Sequence, residues 1–479
     1  MDRRIVISCI VLIVIACLVA VVTTIGAAVL FLRIDNVESS APVLENEPQG
    51  LVPVDPQAEP TEPAALDPGS SDPQAEPQTT PQIDPQIARQ MDMIQVEVIQ
   101  ERGLEPAGSV TRALYNREQV RQRVLDDFLS EYSPEEAGQD ALVLAAFGLL
   151  PPGFDLHSLY IELLTEQVAG FYDDEVQEMV VVQEERFDGL ARLVYAHEYT
   201  HVLQDQNFDI DEGLNYNEEA CEDDTERCAA IQALLEGDAS LSELTWFLNH
   251  ASNQDREDIL SFYETYESPI LDSAPAFLSE DFLFPYEQGL VFVQYLYDRG
   301  GWGSVDRAYR TPPVSTEQIL HPAKYPADMP QPVELPDLQM ILGERWEELD
   351  RNVMGEWYTF LLLAYGRDEA ARLDEDQAAA AAAGWGGDAY VVYYQADTQA
   401  TVMALQTVWD AISEADEFEQ AFRQYAQERF GQPVSDTLGW ITWQGADGFH
   451  AFAITGATTT WILAPDQTTA DQVWSAIQP

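Results

Sequence analysis

Lysine is almost missing from this chain: Lys324 is the one lysine in 479 residues. Lys and Arg together number 23 against 84 Asp and Glu, for a formal net charge of −61. No basic patch can form that would hold a nucleic-acid backbone, so nucleic acid is excluded as a partner. Such a surface repels anions and stays soluble, as in an acidic exported protein or one adapted to high salt. Cysteine is scarce as well. Cys9 and Cys17 lie in an apolar N-terminal run, which leaves Cys221 and Cys228 in the body. A structural zinc site needs a second pair or histidines, so a disulfide between them, closing a small loop, is the expectation outside the cytoplasm. The alternative is a pair of free thiols. Histidine occurs only six times.

Charge is missing in a second sense: residues Ile5 to Leu32 carry none, directly after Arg3 and Arg4. That length crosses a bilayer, and the two arginines favour a cytoplasmic N-terminus. The expectation is a single-pass anchor in the cell membrane (5–32) behind a short cytoplasmic tip (1–4), with everything else extracytoplasmic. A cleaved signal peptide ending near Gly26-Ala27-Ala28, or a lipoprotein signal at Cys17, competes with it. Residues 33–86 are rich in Pro, Asp, Glu and Gln and hold the near-repeat Asp55-Pro56-Gln57-Ala58-Glu59-Pro60 and Asp72-Pro73-Gln74-Ala75-Glu76-Pro77. This composition cannot bury enough apolar surface to fold, and a disordered stalk is expected.

Apolar spacing near 3.6 begins at Ile87 and predicts helices over Ile87–Arg102, Arg117–Tyr132, Gly138–Leu149 and Leu156–Ala169. Val176–Gln183 reads as a strand, either an exposed edge able to pair with a peptide or an internal strand. Long helices are predicted for Cys228–His250, Pro285–Tyr297 and Thr401–Phe430, and helices resume over Leu335–Gly366. Strands are predicted at Tyr390–Tyr394, Ile441–Trp443, Phe449–Ile454 and Thr458–Leu463. The fold class is α+β, mainly α. A first folded domain with a small sheet spans 87–375, and a small α+β domain spans 384–479.

One motif carries chemistry. His197-Glu198-Tyr199-Thr200-His201 lies in an apolar stretch free of Pro and Gly, with Asp188 as N-cap and Asn207 near the end. On a helix, the i, i+4 spacing puts both imidazoles on one face, where two ring nitrogens can bind one metal ion. Glu198 then lies beside the metal as a general base for a water there. The competing reading is two core histidines satisfied by hydrogen bonds. A third ligand is required, leaving the fourth position open. Glu236 is the candidate, within an apolar helix where a lone carboxylate would be costly; Asp238 and Glu243 compete with it. The cofactor expected is one Zn²⁺ held by His197, His201 and Glu236. His321, in a loop before Pro322, either reaches toward substrate or a ligand, or caps a turn. His157 and His250 read as surface or interhelix residues and His450 as a strand-face residue.

These motifs resemble the gluzincin superfamily of zinc metallopeptidases, whose third ligand is a glutamate on a later helix. Glu236-Gly237-Asp238-Ala239, with Glu243 after it, is similar to the third-ligand motif of the aminopeptidase branch. Pro285-Tyr286-Glu287-Gln288-Gly289 is similar to that branch's Pro-Tyr-Glu-Lys-Gly helix. The resemblance implies a zincin-like fold over 87–375 and a catalytic role for Tyr286 as oxyanion donor; read from the residues alone, Tyr286 is an amphipathic aromatic at a helix start. A closer likeness is to a group of exported bacterial and archaeal metallopeptidase-like proteins. It rests on His197–Phe208, the Glu-Gly-Asp-Ala motif and Pro312–Pro322, and it spans about Ile87 to Tyr325. The interval between His201 and Glu236 is longer than in the aminopeptidases, and no Gly-Ala-Met-Glu-Asn motif for a substrate amine occurs. The resemblance therefore implies an endopeptidase acting on protein or peptide substrates, with Glu198, Tyr286 and His321 as catalytic candidates. A catalytically silent surface-binding protein and a non-peptidase metallohydrolase are the alternatives. Oligomeric state is not legible in the sequence.

Overall fold

The computed structural model describes residues 83–123, 125–126, 132–183, 186–437 and 439–478. The expected membrane span and residues 33–82 of the expected stalk lie outside these. Among the described residues no helix is long and apolar enough to cross a membrane. The first described helix starts two residues inside the expected stalk. Asp84 caps helix α1 (Pro85–Arg102) by accepting from Gln86 N, and Pro85 stands where a missing N–H costs nothing.

The architecture is mixed α and β, mainly helical. Three strands, β1 (Thr111–Tyr115), β2 (Gly170–Asp173) and β3 (Glu178–Val182), form a small sheet in the order β1-β3-β2. β3 runs parallel to β1 and antiparallel to β2. Of the two readings of this strand, the internal one is observed. Val180 and Val182 join one core while Met179 and Val181 join another, so both faces of β3 are buried and its side chains alternate between them.

Helix α2 (Pro134–Phe147) opens with a full capping box at Ser133 and Glu136. It leads through α3 (Leu156–Gln167) and β2–β3 to α4 (Gly189–Phe208), which carries the histidine motif. As expected, Asp188 caps α4, accepting from Ala191 N. Then come α5 (Thr225–His250), α6 (Asn253–Thr265), α7 (Ala276–Gly300), α8 (Trp302–Arg310) and the short α9 (Thr316–Leu320). Cys221 and Cys228 are joined in a disulfide that ties the short helix Glu218–Asp223 to the first turn of α5.

The C-terminal half is built on a seven-stranded antiparallel sheet, in the order β4-β5-β6-β10-β9-β8-β7. Two of its strands replace predicted helix. β4 (Glu347–Asn352) interrupts the helical region expected over 335–366, which is reduced to the short helix Gln339–Leu342 and α10 (Gly355–Tyr365). β6 (Ala400–Trp409) takes the first part of the helix expected over 401–430. Thr401, Val402, Thr407 and Val408 favour the pleat, and pairing with β5 (Trp385–Gln395) on one side and β10 (Thr458–Ala464) on the other outweighs local helix preference. After the short α11 (Glu375–Ala382), α12 (Ile412–Phe430) packs on one face of the sheet through Phe418 and Phe422; α13 (Gln467–Ile477) covers the other through Val473 and Ile477. β7 (Ser435–Thr437), β8 (Trp440–Gln444) and β9 (Phe449–Thr455) complete the sheet. The α12-covered face is continuous with the helical half, since one core runs from Leu144 and Leu235 to Trp461.

Candidate metal centre

Helices α4 and α5 lie side by side, and their facing residues are fully buried. His197, Glu198 and Glu236 are 0% exposed and His201 is 2% exposed. The i, i+4 spacing does what was expected of it: the two rings stand edge to face, with centroids 4.9 Å apart. Glu236 Oε2 lies 3.2 Å from His197 Nε2 and 3.4 Å from His201 Nε2. Metal–ligand bonds of about 2.0–2.1 Å at tetrahedral angles put donor atoms about 3.3 Å apart. The spacing of these atoms fits that figure, and the three residues form a group that could hold a metal ion.

The outer nitrogens of both rings decide which atoms face inward. His197 Nδ1 lies 2.9 Å from Glu243 Oε2, and a carboxylate can only accept. His201 Nδ1 lies 2.8 Å from Gln204 Oε1. The amide of Gln204 cannot be reversed, because its Nε2 faces two acceptors, Leu235 O at 2.9 Å and Asp238 Oδ2 at 3.2 Å. In the neutral form that a metal ligand takes, both imidazoles therefore donate outward from Nδ1 and turn an Nε2 lone pair toward Glu236. Two lone pairs and a carboxylate oxygen converging in a dry site repel one another unless a cation stands between them. His201 Nε2 and Glu236 Oε1 are both buried without a hydrogen-bond partner, as donor atoms awaiting a metal would be. The donor set fits the ion expected from the sequence.

Of the three residues weighed as third ligand, the structure brings Glu236 to the histidine nitrogens. Glu243 and Asp238 stand behind the ligands. Asp238 is held by Arg102, which donates from Nε to Oδ1 at 2.7 Å and from Nη2 to Oδ2 at 3.0 Å, and by the Tyr309 hydroxyl at 2.6 Å. Gln204, which sequence reasoning passed over, carried a signal: it stands three residues after His201, on the same helix face.

Glu198 comes to the site beside β2. Gly170, the first residue of β2, packs so closely on α4 that a Cβ there would lie 2.7 Å from Val194 Cγ1 and 3.1 Å from Glu198 Cγ. Tyr286 on α7 is 1% exposed, and its ring lies against His197 with centroids 6.4 Å apart and planes 30° from parallel. A mutual approach of two glycines brings it there. A Cβ on Gly237 would lie 2.1 Å from Gly289 O, and one on Gly289 would lie 2.2 Å from Ala233 O. The glycines of the two expected motifs are thus the crossing point of α5 and α7, which puts backbone on backbone and draws Glu236 and Tyr286 together.

His321 is not brought into this group. It follows α9, is partly exposed, and hydrogen-bonds Glu356 Oε1 at 2.7 Å, a contact that raises its pKa against the effect of burial. The Pro312–Pro322 segment serves as a tie instead. Thr316 donates from N at 2.6 Å and from Oγ1 at 2.8 Å to Glu226 on the first turn of α5, and Trp357 N donates to Thr316 Oγ1 at 3.1 Å. The remaining histidines sit elsewhere: His157 against the Tyr132 ring, His250 bonded to Glu101, and His450 buried on β9 beside Asp447.

The family described as a domain of unknown function, DUF8575, matches residues 342–474, which is the seven-stranded sheet with its helices and leaves the metal group outside. Neither a curated protein nor a solved structure matches the chain.

Proposed function

We propose that the protein is a zinc-dependent metallopeptidase of zincin-like fold, an endopeptidase held at the cell membrane by residues 5–32 with its folded part outside the cytoplasm. The observation that carries the reading is the inward convergence of His197 Nε2, His201 Nε2 and Glu236 Oε2, with both Nδ1 atoms committed outward. His197, His201 and Glu236 would hold the ion. When bound, zinc supplies Lewis acidity toward a carbonyl and acidifies a water. Glu198 is the group that takes the proton from the attacking water and passes it to the leaving amine. Its carboxylate is wholly buried, where ionised groups are avoided unless they have work to do. The Tyr286 hydroxyl donates to the oxyanion as it forms, beside His197. Protein or peptide is the substrate class; the absence of an amine-binding motif favours internal bonds.

The test uses the full-length chain. Metal analysis should find one zinc per chain, lost in His201→Ala. Glu198→Gln should keep the zinc and lose protein hydrolysis by about 10²-fold or more, the usual reach of general acid–base catalysis. Full zinc occupancy in His201→Ala would sink the ligand set. Near-normal turnover in zinc-loaded Glu198→Gln would sink the mechanism.

A further inference from the structure

The metal group is backed by a line of hydrogen bonds that leaves α5 and ends on a different part of the chain. Arg102, the last residue of α1, is 0% exposed. Besides its two bonds to Asp238, its Nη1 pairs with Asp306 at 2.9 Å and its guanidinium lies 4.5 Å over the Trp302 ring. The line has one possible polarity. Arginine can only donate and a carboxylate can only accept, so Asp238 receives from Arg102, Tyr309 and Gln204 Nε2. Gln204 then presents Oε1 to His201, so a neutral His201 carries its proton on Nδ1 and leaves Nε2 bare. Fixing the tautomer of a metal-binding histidine through its other nitrogen is what partners behind a ligand do.

We propose that α1 is a working part of the metal centre: Arg102, through Asp238 and Gln204, sets the tautomer of His201 and makes metal affinity depend on the docking of that helix. This rests on the metal reading above. α1 is also the first element after the acidic, proline-rich segment. It is held in place by the apolar side chains of Met91, Ile94 and Val98 and by the bond from Trp246 Nε1 to Glu97. Loosening α1 would take Arg102 away from Asp238, leaving the Gln204 amide held by Leu235 O and by a carboxylate no longer fixed in place, so its grip on the His201 Nδ1 proton would weaken.

The experiment compares the full-length chain with Arg102→Met, Gln204→Met and the double variant. Zinc affinity is read by competition with a chromogenic chelator, and the His201 tautomer of the metal-free protein from imidazole ¹⁵N shifts. Each single variant should weaken zinc binding about 10–100-fold, the usual effect of removing a partner behind a ligand. The double variant should be no weaker than the worse single, because the two substitutions cut one line. His201 should move from a pure Nδ1–H form to a mixture in each. Wild-type affinity with an unchanged tautomer in Gln204→Met would overturn the proposal, as would single effects that multiply in the double variant. If Arg102→Met does not fold, Gln204→Met decides, since it leaves Asp238 paired with Arg102 and Tyr309. Failure of the unaltered chain to bind zinc would refute the metal reading instead; the tautomer shift still judges the line.

Discussion

At the scale of single residues, the site depends on side chains whose neighbours leave them one choice. Tyr286 is buried against His197, and its ring alone explains the packing. Tyr286→Phe keeps that ring, so a fall in kcat of about 10²–10³ at equal zinc content would be due to the lost hydroxyl, whereas an unchanged kcat would leave Tyr286 a packing residue. Asp140 shows what burial does without a cation. It is 1% exposed and accepts from the Tyr132 hydroxyl at 2.6 Å. Burial pushes its carboxyl up to about 8; the Tyr132 bond opposes this, and nearby Asp350 and Glu136 add to it. The folded chain therefore holds a proton that the unfolded chain releases near the ordinary aspartate range. Its contribution to stability is complete below the ordinary aspartate range and is lost progressively as pH rises to about 8. Asp140→Asn, neutral at every pH and still an acceptor for Tyr132, should flatten the decline in melting temperature between about pH 4 and 8. An undiminished slope would exclude Asp140 as its source.

At the scale of elements, the helix pair α5–α7 is the piece that cannot be altered. Elsewhere a glycine inside a helix costs about 1 kcal/mol relative to alanine, so alanine is normally the better residue. Gly289 reverses that preference, because a Cβ there would sit 2.2 Å from Ala233 O, a backbone atom that cannot swing aside. Gly289→Ala should lower stability by about 1–3 kcal/mol or more through overpacking. It should also weaken zinc binding, because parting the helices moves Glu236. Thermal unfolding and chelator competition on the same variant read both effects. A more stable Gly289→Ala protein with intact zinc binding would show that the crossing is loose. The N-terminus of α5 is tied twice more, by the disulfide and by Thr316 on Glu226, so the helix bearing Glu236 is restrained at its start as well as at the crossing.

At the scale of the molecule, the scarcity of basic residues becomes an arrangement. Several cations stand inside, where a few of them do the most. Arg102 holds Asp238; Arg429 donates to Phe147 O at 2.9 Å and pairs with Asp447, joining α2 to the C-terminal sheet; Arg367 donates to Leu150 O at 3.1 Å. Lys324 pairs with Glu317, Asp328 and Asp410, linking the segment after α9 to the start of α12. The remaining surface carries most of the 84 acidic groups unbalanced. Its self-repulsion falls as salt shortens the screening length from about 10 Å at 0.1 M to about 3 Å at 1 M. Melting temperature should therefore rise between these concentrations of sodium chloride. A flat or falling curve would mean that the surface charge costs the fold little.

The sequence alone determined what depends on neighbours a turn apart. The i, i+4 histidines with Glu198 between them, the Asp188 cap, the Cys221–Cys228 pair and the strands at 449–454 and 458–463 were all legible, because their spacing is the structure. Glu236 was legible as a buried carboxylate lacking a cation, though not separable from Asp238 and Glu243. Tertiary structure separates them, since only the crossing of α4 and α5 decides which of three acids on one helix lies between the two Nε2 atoms. It also turned 401–409 and 347–352 into strands, where pairing partners far along the chain outweigh local preference. It assigned the two motif glycines to each other and His321 to Glu356. Arg102 stands 136 residues from the aspartate it holds, and no periodicity reaches that far: contacts of this kind exist only once the chain has closed on itself.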